Sequence, residues 1–567
     1  MCRKNLIRLT GILLMLSGMW KLHRNPLQFS GFLTRLKKIF WQVFPETYYA
    51  FDINPEKNYI YYYLALIAIF TGSILLIKYK SIALYCSKLL KHFQKALNLL
   101  SNLNPLCKKL LAGLLIFNLL IKWYYLTKMP VFVDEAWTYF VFSSKGFLTA
   151  ISYYPAPNNH ILHSILTVFS VQLPVDILTA LRLPNFLANI IAVLLFFIVI
   201  SKLFSNKTAL FFSLVFSTMF PMMYYGYIAR GYIFYLIGFI VLFYIAVNSL
   251  RNQRLIKAYF PLWLLATITG FYSIPTFLYP YMSIYLYLSI YFYKNKDWKS
   301  FKNIQIINLI SAISVLLIYF PVLLISGIKS LIDNPYVKPH NRISVLRNFD
   351  EHFDDTSWFL FNLPLIASLF IALIYFYLLH KKKWIHEVKF AFFILIFSPL
   401  IMLIHATLPM PRIWIYWLIP VLFLSIHIYE IFIKDKYGYR LQIYFFSSIA
   451  LLQLLIFHIR LPRYEADSFL AKKIANELIQ KKVNRLYTGK NNYLGTSILF
   501  HYKQNKLDLN IFEAFDSLSD KDFAQFQYFL MRNPIDSITT EKYRPDKKIF
   551  RFYSARQYLY QKMPRQK

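Results

Sequence analysis

Acidic residues and cysteines are scarce in this chain. Against 63 Lys and Arg there are 26 Asp and Glu, a formal net charge of +37, and charged residues make up only 16% of the sequence. The three cysteines, Cys2, Cys86 and Cys107, have no paired spacing, which argues against a disulfide framework and a cysteine zinc site. With 14 glycines in 567 residues, the chain has no glycine-rich phosphate loop, no dinucleotide fingerprint and no GxSxG elbow. An ATP-driven transporter and a serine hydrolase are therefore disfavoured. What is abundant is apolar: 57% of residues are hydrophobic and the mean hydropathy is +0.44, too apolar for a soluble protein of this length and diagnostic of a polytopic α-helical membrane protein in a lipid bilayer. The basic surplus does not point to nucleic acid. Lys and Arg cluster in short connectors between apolar runs, the pattern of loops retained in the cytoplasm, and they favour anionic lipids or phosphate-bearing substrates as partners.

Taken in order, the chain divides in three. Residues 1–108 form an N-terminal extension with one or two spans. Its start, MCRKNLIRLTGILLMLSGMW, has a basic head and a short apolar core but no small-residue cleavage site, and reads as an uncleaved first span or an interfacial helix. The run 59–77 is a span, and SIALYCSKLLKHFQKALNLL after it reads as a basic amphipathic helix on the inner leaflet. Residues 109–459 hold about eleven apolar runs, each long enough for a hydrocarbon core of about 30 Å. They include 110–126, 183–203, 209–225, 259–274, 275–293, 358–379, 413–432 and 441–458. Connectors such as RNQRLIK, KNKDWKSFK, HKKKWIHEVK and KDKYGYR all fall on one side. If that side is inside, the loop 327–357 and everything after Arg460 face outward. Residues 460–567 have mixed charge, with helical spacing at 468–480 and 493–502 and strand patterns at 483–488 and 548–553, which predicts a small extracytoplasmic α/β domain.

The residues that could carry chemistry gather at predicted outward ends of spans. Asp134 and Glu135 follow the run 110–126 inside MPVFVDEAWTYFVFSSKGFLTAISYYPAPNNHILH. A carboxylate costs about 2.5–3.5 kcal/mol at a bilayer centre, so acids beside a span suggest function. One could take a proton from an attacking hydroxyl while the other positions it. Equally, Asp134 could be the N-cap of a helix with Glu135 in its first turn. Arg230, in GYIARGYIFY, and Arg412, in LPMPRIWIYWLIP, run against the positive-inside trend; each suits a lipid-linked phosphate or is an interfacial, snorkelling side chain. Arg182, in TALRLPNF, either contacts substrate or packs against the loop helix, and His160 and His163 are substrate contacts or hydrogen-bonded structural residues. Asp333, Asp350, Glu351, His352, Asp354 and Asp355 have ligand types suited to a divalent cation, but their spacing fits no metal motif; a solvated acidic loop is expected and no metal site is assigned.

In order and spacing, VDEAWTY (133–139), YYPAPNNHILHSIL (153–166), LTALRLPNFLANIIAVLL (178–195), YIARGYIFYL (227–236) and PMPRIWIYWLIP (409–420) resemble a known class. They are similar to the polyprenol-phosphate-sugar-dependent membrane glycosyltransferases of the C fold (GT-C), in the branch of the protein O-mannosyltransferases and the bacterial aminoarabinose lipid A transferases. The resemblance covers roughly residues 110–458. It implies a GT-C-like helical core in the cytoplasmic membrane and an inverting sugar transfer at its outer face. The donor would be a polyprenyl-phosphate-linked sugar, and the acceptor an envelope glycan, lipid or protein. By the same resemblance Asp134 is the general base, Glu135 its neighbour contacting acceptor or donor, Arg230 a ligand of the donor phosphate and Arg412 a weaker one. The extension through Lys108 departs from the better-known members. The sequence also lacks the added sugar-binding module of the eukaryotic O-mannosyltransferases, which weighs against a protein acceptor. A lipid or glycan transporter or flippase, and a non-catalytic scaffold, are the alternatives. A transporter should carry inverted repeats and charges near mid-membrane.

Overall fold

A computed structural model describes residues 2–23, 57–252, 256–333, 339, 341–488, 494–513, 526, 528–531, 545–551 and 556–562. Among these, nine helices are long and apolar enough to cross a membrane, and the chain is a multi-pass helical membrane protein. One of the nine lies in the N-terminal extension. There the helix Cys2–His23 runs along the helix Lys57–Ile77. A Cβ on Gly18 would stand 2.5 Å from the Ala65 carbonyl oxygen, and one on Gly72 would stand 2.6 Å from that of Gly11. Small residues thus let the two backbones touch, as membrane helices do. The next helix, Tyr79–Ser101, has no fully buried residue, in keeping with its amphipathic pattern.

The remaining eight lie between Pro105 and Tyr464, fewer than the hydropathy runs suggest. Proline accounts for much of the difference. The run 209–225 forms a helix of only 13 residues, Asn206–Thr218, and restarts at Phe220–Tyr224 with Pro221 in its first turn. Phe260–Ser273 has 14 residues, and Leu278–Lys294 has 17 after the 3-10 turn Pro275–Phe277. The run 358–379 is two helices, Phe349–Phe361 and Leu365–Lys383, because Asn362 takes a left-handed conformation (φ 58°) and Pro364 follows. Hydropathy sums over a window and does not register a backbone that stops; at these breaks a proline, lacking an N–H and clashing with the preceding turn, stands beside the stop, whereas Pro184, Pro321, Pro399 and Pro462 lie inside continuous helices.

The stretch 219–231, the short helix Phe220–Tyr224 and the turns after it, runs through the buried interior, and its unpaired backbone groups need partners there. Polar side chains of the long helix Ile177–Leu203 supply them. Asn185 Nδ2 donates to the carbonyls of Tyr225 (2.7 Å) and Ile228 (2.6 Å), and Asn189 Nδ2 to that of Met222 (3.0 Å). Lys122, fully buried, donates to Asn118 Oδ1 at 2.9 Å and to Asn189 Oδ1. These bonds fix the stretch that ends at Arg230.

After Tyr464 come the helix Ala466–Gln480, strand β1 (Arg485–Thr488), the helix Leu494–Gln504, and strands β2 (Asn510–Glu513), β3 (Tyr528–Met531), β4 (Pro545–Arg551) and β5 (Arg556–Lys562). The sheet order is β2-β1-β3-β5-β4; β1 is parallel to β2 and β3, while β5 pairs antiparallel with β3 and β4. The expected strand at 548–553 is β4, with 552–553 outside the described residues. Strands β2, β3 and β5 carry too little alternation to be read from sequence. Leu470, Ile474, Leu478, Leu486, Ile498 and Leu530 form the core between sheet and helices.

Candidate active site

The helix Val133–Val141 begins after Phe132, which is extended, so Phe132 and not Asp134 occupies the N-cap position. Glu135 performs the capping: its Oε2 accepts the Phe132 N–H at 2.9 Å. Its other partners come from distant segments. Arg182 donates from Nε to Oε1 (2.8 Å) and from Nη2 to Oε2 (2.6 Å), and the Ala229 N–H donates to Oε1 (2.7 Å). The rest of the guanidinium is also used, with Nη1 bonded to the carbonyls of Leu126 (2.8 Å) and Met129 (2.9 Å) and Nη2 to that of Pro130 (2.7 Å). All five N–H donors of Arg182 are thereby satisfied. Both side chains are sealed from solvent, at 1% and 0% exposure. The pair ties the end of the helix Pro105–Lys128 to the start of the next helix and to residue 229.

Consecutive helical residues point about 100° apart, and Asp134 accordingly leaves this latch and lines a cavity of ≈ 230 Å³. Its Oδ2 lies 3.3 Å from Arg230 Nη2 and 3.7 Å from Arg412 Nη2. Arg230 is also held by Asn158, donating from Nη1 to its carbonyl (3.3 Å) and to its Oδ1. The Nε atoms of both arginines are buried without a partner. Two guanidiniums share one carboxylate, so the cavity keeps a positive surplus. Most of the remaining lining is uncharged, including Trp137, Tyr154, Tyr232 and Pro409. His160 lines it too, with Nδ1 3.2 Å from the Ser273 carbonyl and Nε2 unpartnered. Burial, then the Arg230 charge, hold its pKa well below the ordinary histidine value. The imidazole is neutral, Nδ1–H donates to Ser273, and Nε2 carries a bare lone pair. Gly231 makes room for it: a Cβ there would meet His160 Cβ at 2.8 Å.

Four of the sequence candidates, Asp134, Arg230, Arg412 and His160, thus meet at one cavity, while Glu135, Arg182 and His163 do not line it. His163 is fully buried near Phe234, and burial followed by Arg230 pushes its pKa down to about 3. Sequence reasoning passed over Asn158, Thr276, Tyr279, His405 and Thr407, all lining the cavity; only Asn158, beside the proline turn, carried a local signal. It also passed over Lys122, a charge inside an apolar run. Among the described residues no group of three His, Cys, Asp or Glu is placed to hold a metal ion. The expected acidic loop is partly helical: Asp350 and Glu351 fall in the first turn of Phe349–Phe361, Trp414 Nε1 donates to His352 Nε2 (2.9 Å), and the Leu365 N–H donates to Asp354 Oδ1 (2.7 Å).

The C-terminal segment reaches this site. Phe500, from the helix Leu494–Gln504, is fully buried in a cluster with Val131, Ala136, Leu178, Leu181 and Ala229, and meets Tyr139 edge-on at 5.4 Å. It wedges against the helix that carries Asp134. Phe500→Ala is expected to lower stability by about 3–5 kcal/mol, the usual cost of emptying a buried aromatic site, and Phe500→Leu by much less; thermal unfolding in detergent compares them. At the junction, buried Glu465 accepts from the Tyr224 hydroxyl and, at 2.5 Å, from the Ser468 hydroxyl. Burial pushes its pKa up from 4.5 to about 7. A folded-state pKa above the unfolded one gives stability that is complete below pH 4.5 and lost as pH rises through about 7. Glu465→Gln is expected to remove that slope and raise the melting temperature on the alkaline side, which a pH series of melting curves checks.

The chain matches no protein-family model and no curated protein. The site is therefore read from its own chemistry.

Proposed function

We propose that the protein is an inverting glycosyltransferase with a GT-C-like core, moving a sugar from a polyprenyl phosphate to an envelope glycan, lipid or protein acceptor. The observation that carries this reading is Asp134 set between Arg230 and Arg412 in a mostly uncharged cavity of a membrane protein. In the proposed orientation the basic connectors are cytoplasmic, and the cavity and residues 466–562 face outward. Arg230 and Arg412, whose joint positive charge exceeds what Asp134 alone neutralises, bind the donor phosphate. The acceptor oxygen attacks the anomeric carbon while the bond from that carbon to the phosphate oxygen breaks. The acceptor proton passes to Asp134, and the electron pair leaves on polyprenyl phosphate, where the guanidiniums stabilise it. The shortest contact of each arginine with Asp134 is to its Oδ2. Preorganised cations aimed at a developing negative charge are what such a transition state needs.

The experiment is mass spectrometry of envelope lipids and glycans from wild-type, deletion and Asp134→Asn cells. Accumulation of polyprenyl-phosphate sugar with undecorated acceptor in both altered strains is the expected result, and the missing mass identifies the sugar. A deletion phenotype that Asp134→Asn does not share sinks the transferase reading and favours transport without cleavage.

A further inference from the structure

The cavity holds a second polar group of residues that phosphate binding does not use. Thr276 sits in the turn Pro275–Phe277, and its Oγ1 is buried without a partner. Three residues before it, the Ser273 carbonyl holds His160 so that Nε2 is left bare. Two helical segments on, the Tyr279 hydroxyl lies 3.1 Å from His405 Nδ1 and 3.4 Å from Thr407 Oγ1, and Thr407 Oγ1 lies 3.1 Å from His405 Nδ1. In that triangle each hydroxyl has one proton and two lone pairs, so acceptor capacity remains for a ligand. All five residues line the cavity. Buried polar atoms are normally paired, and unpaired ones at a cavity mark where a ligand or water completes them. Tyr279 also stacks on Trp414 at 5.9 Å, two residues from Arg412, which places this group beside the phosphate-binding arginines.

Charge narrows what can bind there. Among the described residues Asp134 is the one acid that lines the cavity, and both arginines engage it. The donor phosphate offsets the positive surplus, but an ammonium group on the sugar would find no second carboxylate to pair with, and a charge desolvated without a partner costs affinity. An uncharged polyol finds donors and acceptors on His160, Thr276, Tyr279, His405 and Thr407. We infer that these five residues form a neutral hydroxyl-binding subsite that selects an uncharged, hydroxyl-rich sugar on the donor phosphate and rejects a sugar with a free amine. This inference rests on the transferase reading and adds the class of sugar to it.

The test measures binding of three probes to the purified full chain: polyprenyl phosphate, polyprenyl phosphomannose, and a polyprenyl phosphate carrying an aminopentose with a free amine. The wild type is expected to bind the mannose probe about tenfold more tightly than the bare phosphate, an increment of the size of one well-made hydrogen bond, and the aminopentose probe more weakly than mannose. Thr276→Val with Tyr279→Phe should erase the mannose increment and leave affinity for bare polyprenyl phosphate unchanged. Tyr279→Phe keeps the ring that stacks on Trp414, so loss of fold does not imitate the effect, and retained binding of the bare phosphate checks it. The subsite is overturned if the aminopentose probe binds tightest, if mannose adds nothing in the wild type, or if the double variant keeps the mannose increment. A wild type that binds not even bare polyprenyl phosphate overturns the transferase reading itself.

Discussion

For the proposed transferase, Asp134→Asn is expected to lower sugar transfer by about 10²–10⁴, the usual contribution of a positioned general base, in a protein that still folds and inserts. The two side chains have the same shape, so the neighbours of residue 134 keep their places. What changes is charge. Asn cannot take the acceptor proton, and Arg230 and Arg412, 3.3 and 3.7 Å from the Asp134 oxygen, lose their shared anion. The cavity becomes more positive, and donor phosphate is held at least as well as before. The expected kinetic signature is a fall in kcat with no rise in the KM for the lipid donor, the mark of an interaction made mainly in the transition state. Initial rates over a range of donor concentrations measure it. A normal kcat would remove Asp134 from the chemistry; a lowered kcat with a raised KM would show that it orders the arginines instead.

Arg182→Ala is expected to abolish recovery of folded protein. The substitution leaves the Glu135 carboxylate fully buried without its cation, and strips partners from the carbonyls of Leu126, Met129 and Pro130. Breaking a buried pair from one side costs about 3–5 kcal/mol, comparable to the whole stability of many domains. Arg182→Lys is expected to fail as well, since an ammonium has three donors in place of five. Glu135→Gln also leaves the buried guanidinium without its anion and turns an NH2 toward the Phe132 N–H and Arg182 Nη2; it should still be milder than Arg182→Ala, because one acceptor remains for the Ala229 N–H and Arg182 keeps its three carbonyl partners. Monodispersity in detergent and the melting temperature rank the variants. A stable, well-folded Arg182→Ala protein that has lost only activity would place the pair at the chemistry and overturn the reading of a structural latch.

The same two adjacent acids show how far the sequence can be read. Their presence beside an apolar run marks the segment, because unpaired carboxylates are not kept near a bilayer. Which one faces a cavity is not marked, because Asp and Glu are chemically alike and the deciding partners, Arg182 and the Ala229 N–H, lie 47 and 94 residues away. The arginines behave likewise. Arg182, Arg230 and Arg412 are equivalent in sequence, each at the end of an apolar run. In the fold the first spends every donor on protein, while the other two keep a buried Nε without a partner. His160 and His163 are one helical turn apart, yet only His160 lines the cavity, where glycine at 231 lets it approach.

From the sequence alone, then, come the membrane class and the segments on which the polar residues converge. Those follow from hydropathy, charge clustering and periodicity, which are properties of short windows. The tertiary structure alone decided where apolar runs break into short helices, as at Asn362 and around Pro221 and Pro275. It alone separated latch from cavity, and it alone brought Thr276, Tyr279, His405 and Thr407 to the same wall-lining set. The physical reason is that a side chain's role is set by the groups that satisfy its charge and hydrogen bonds, and here most of those groups come from distant parts of the chain.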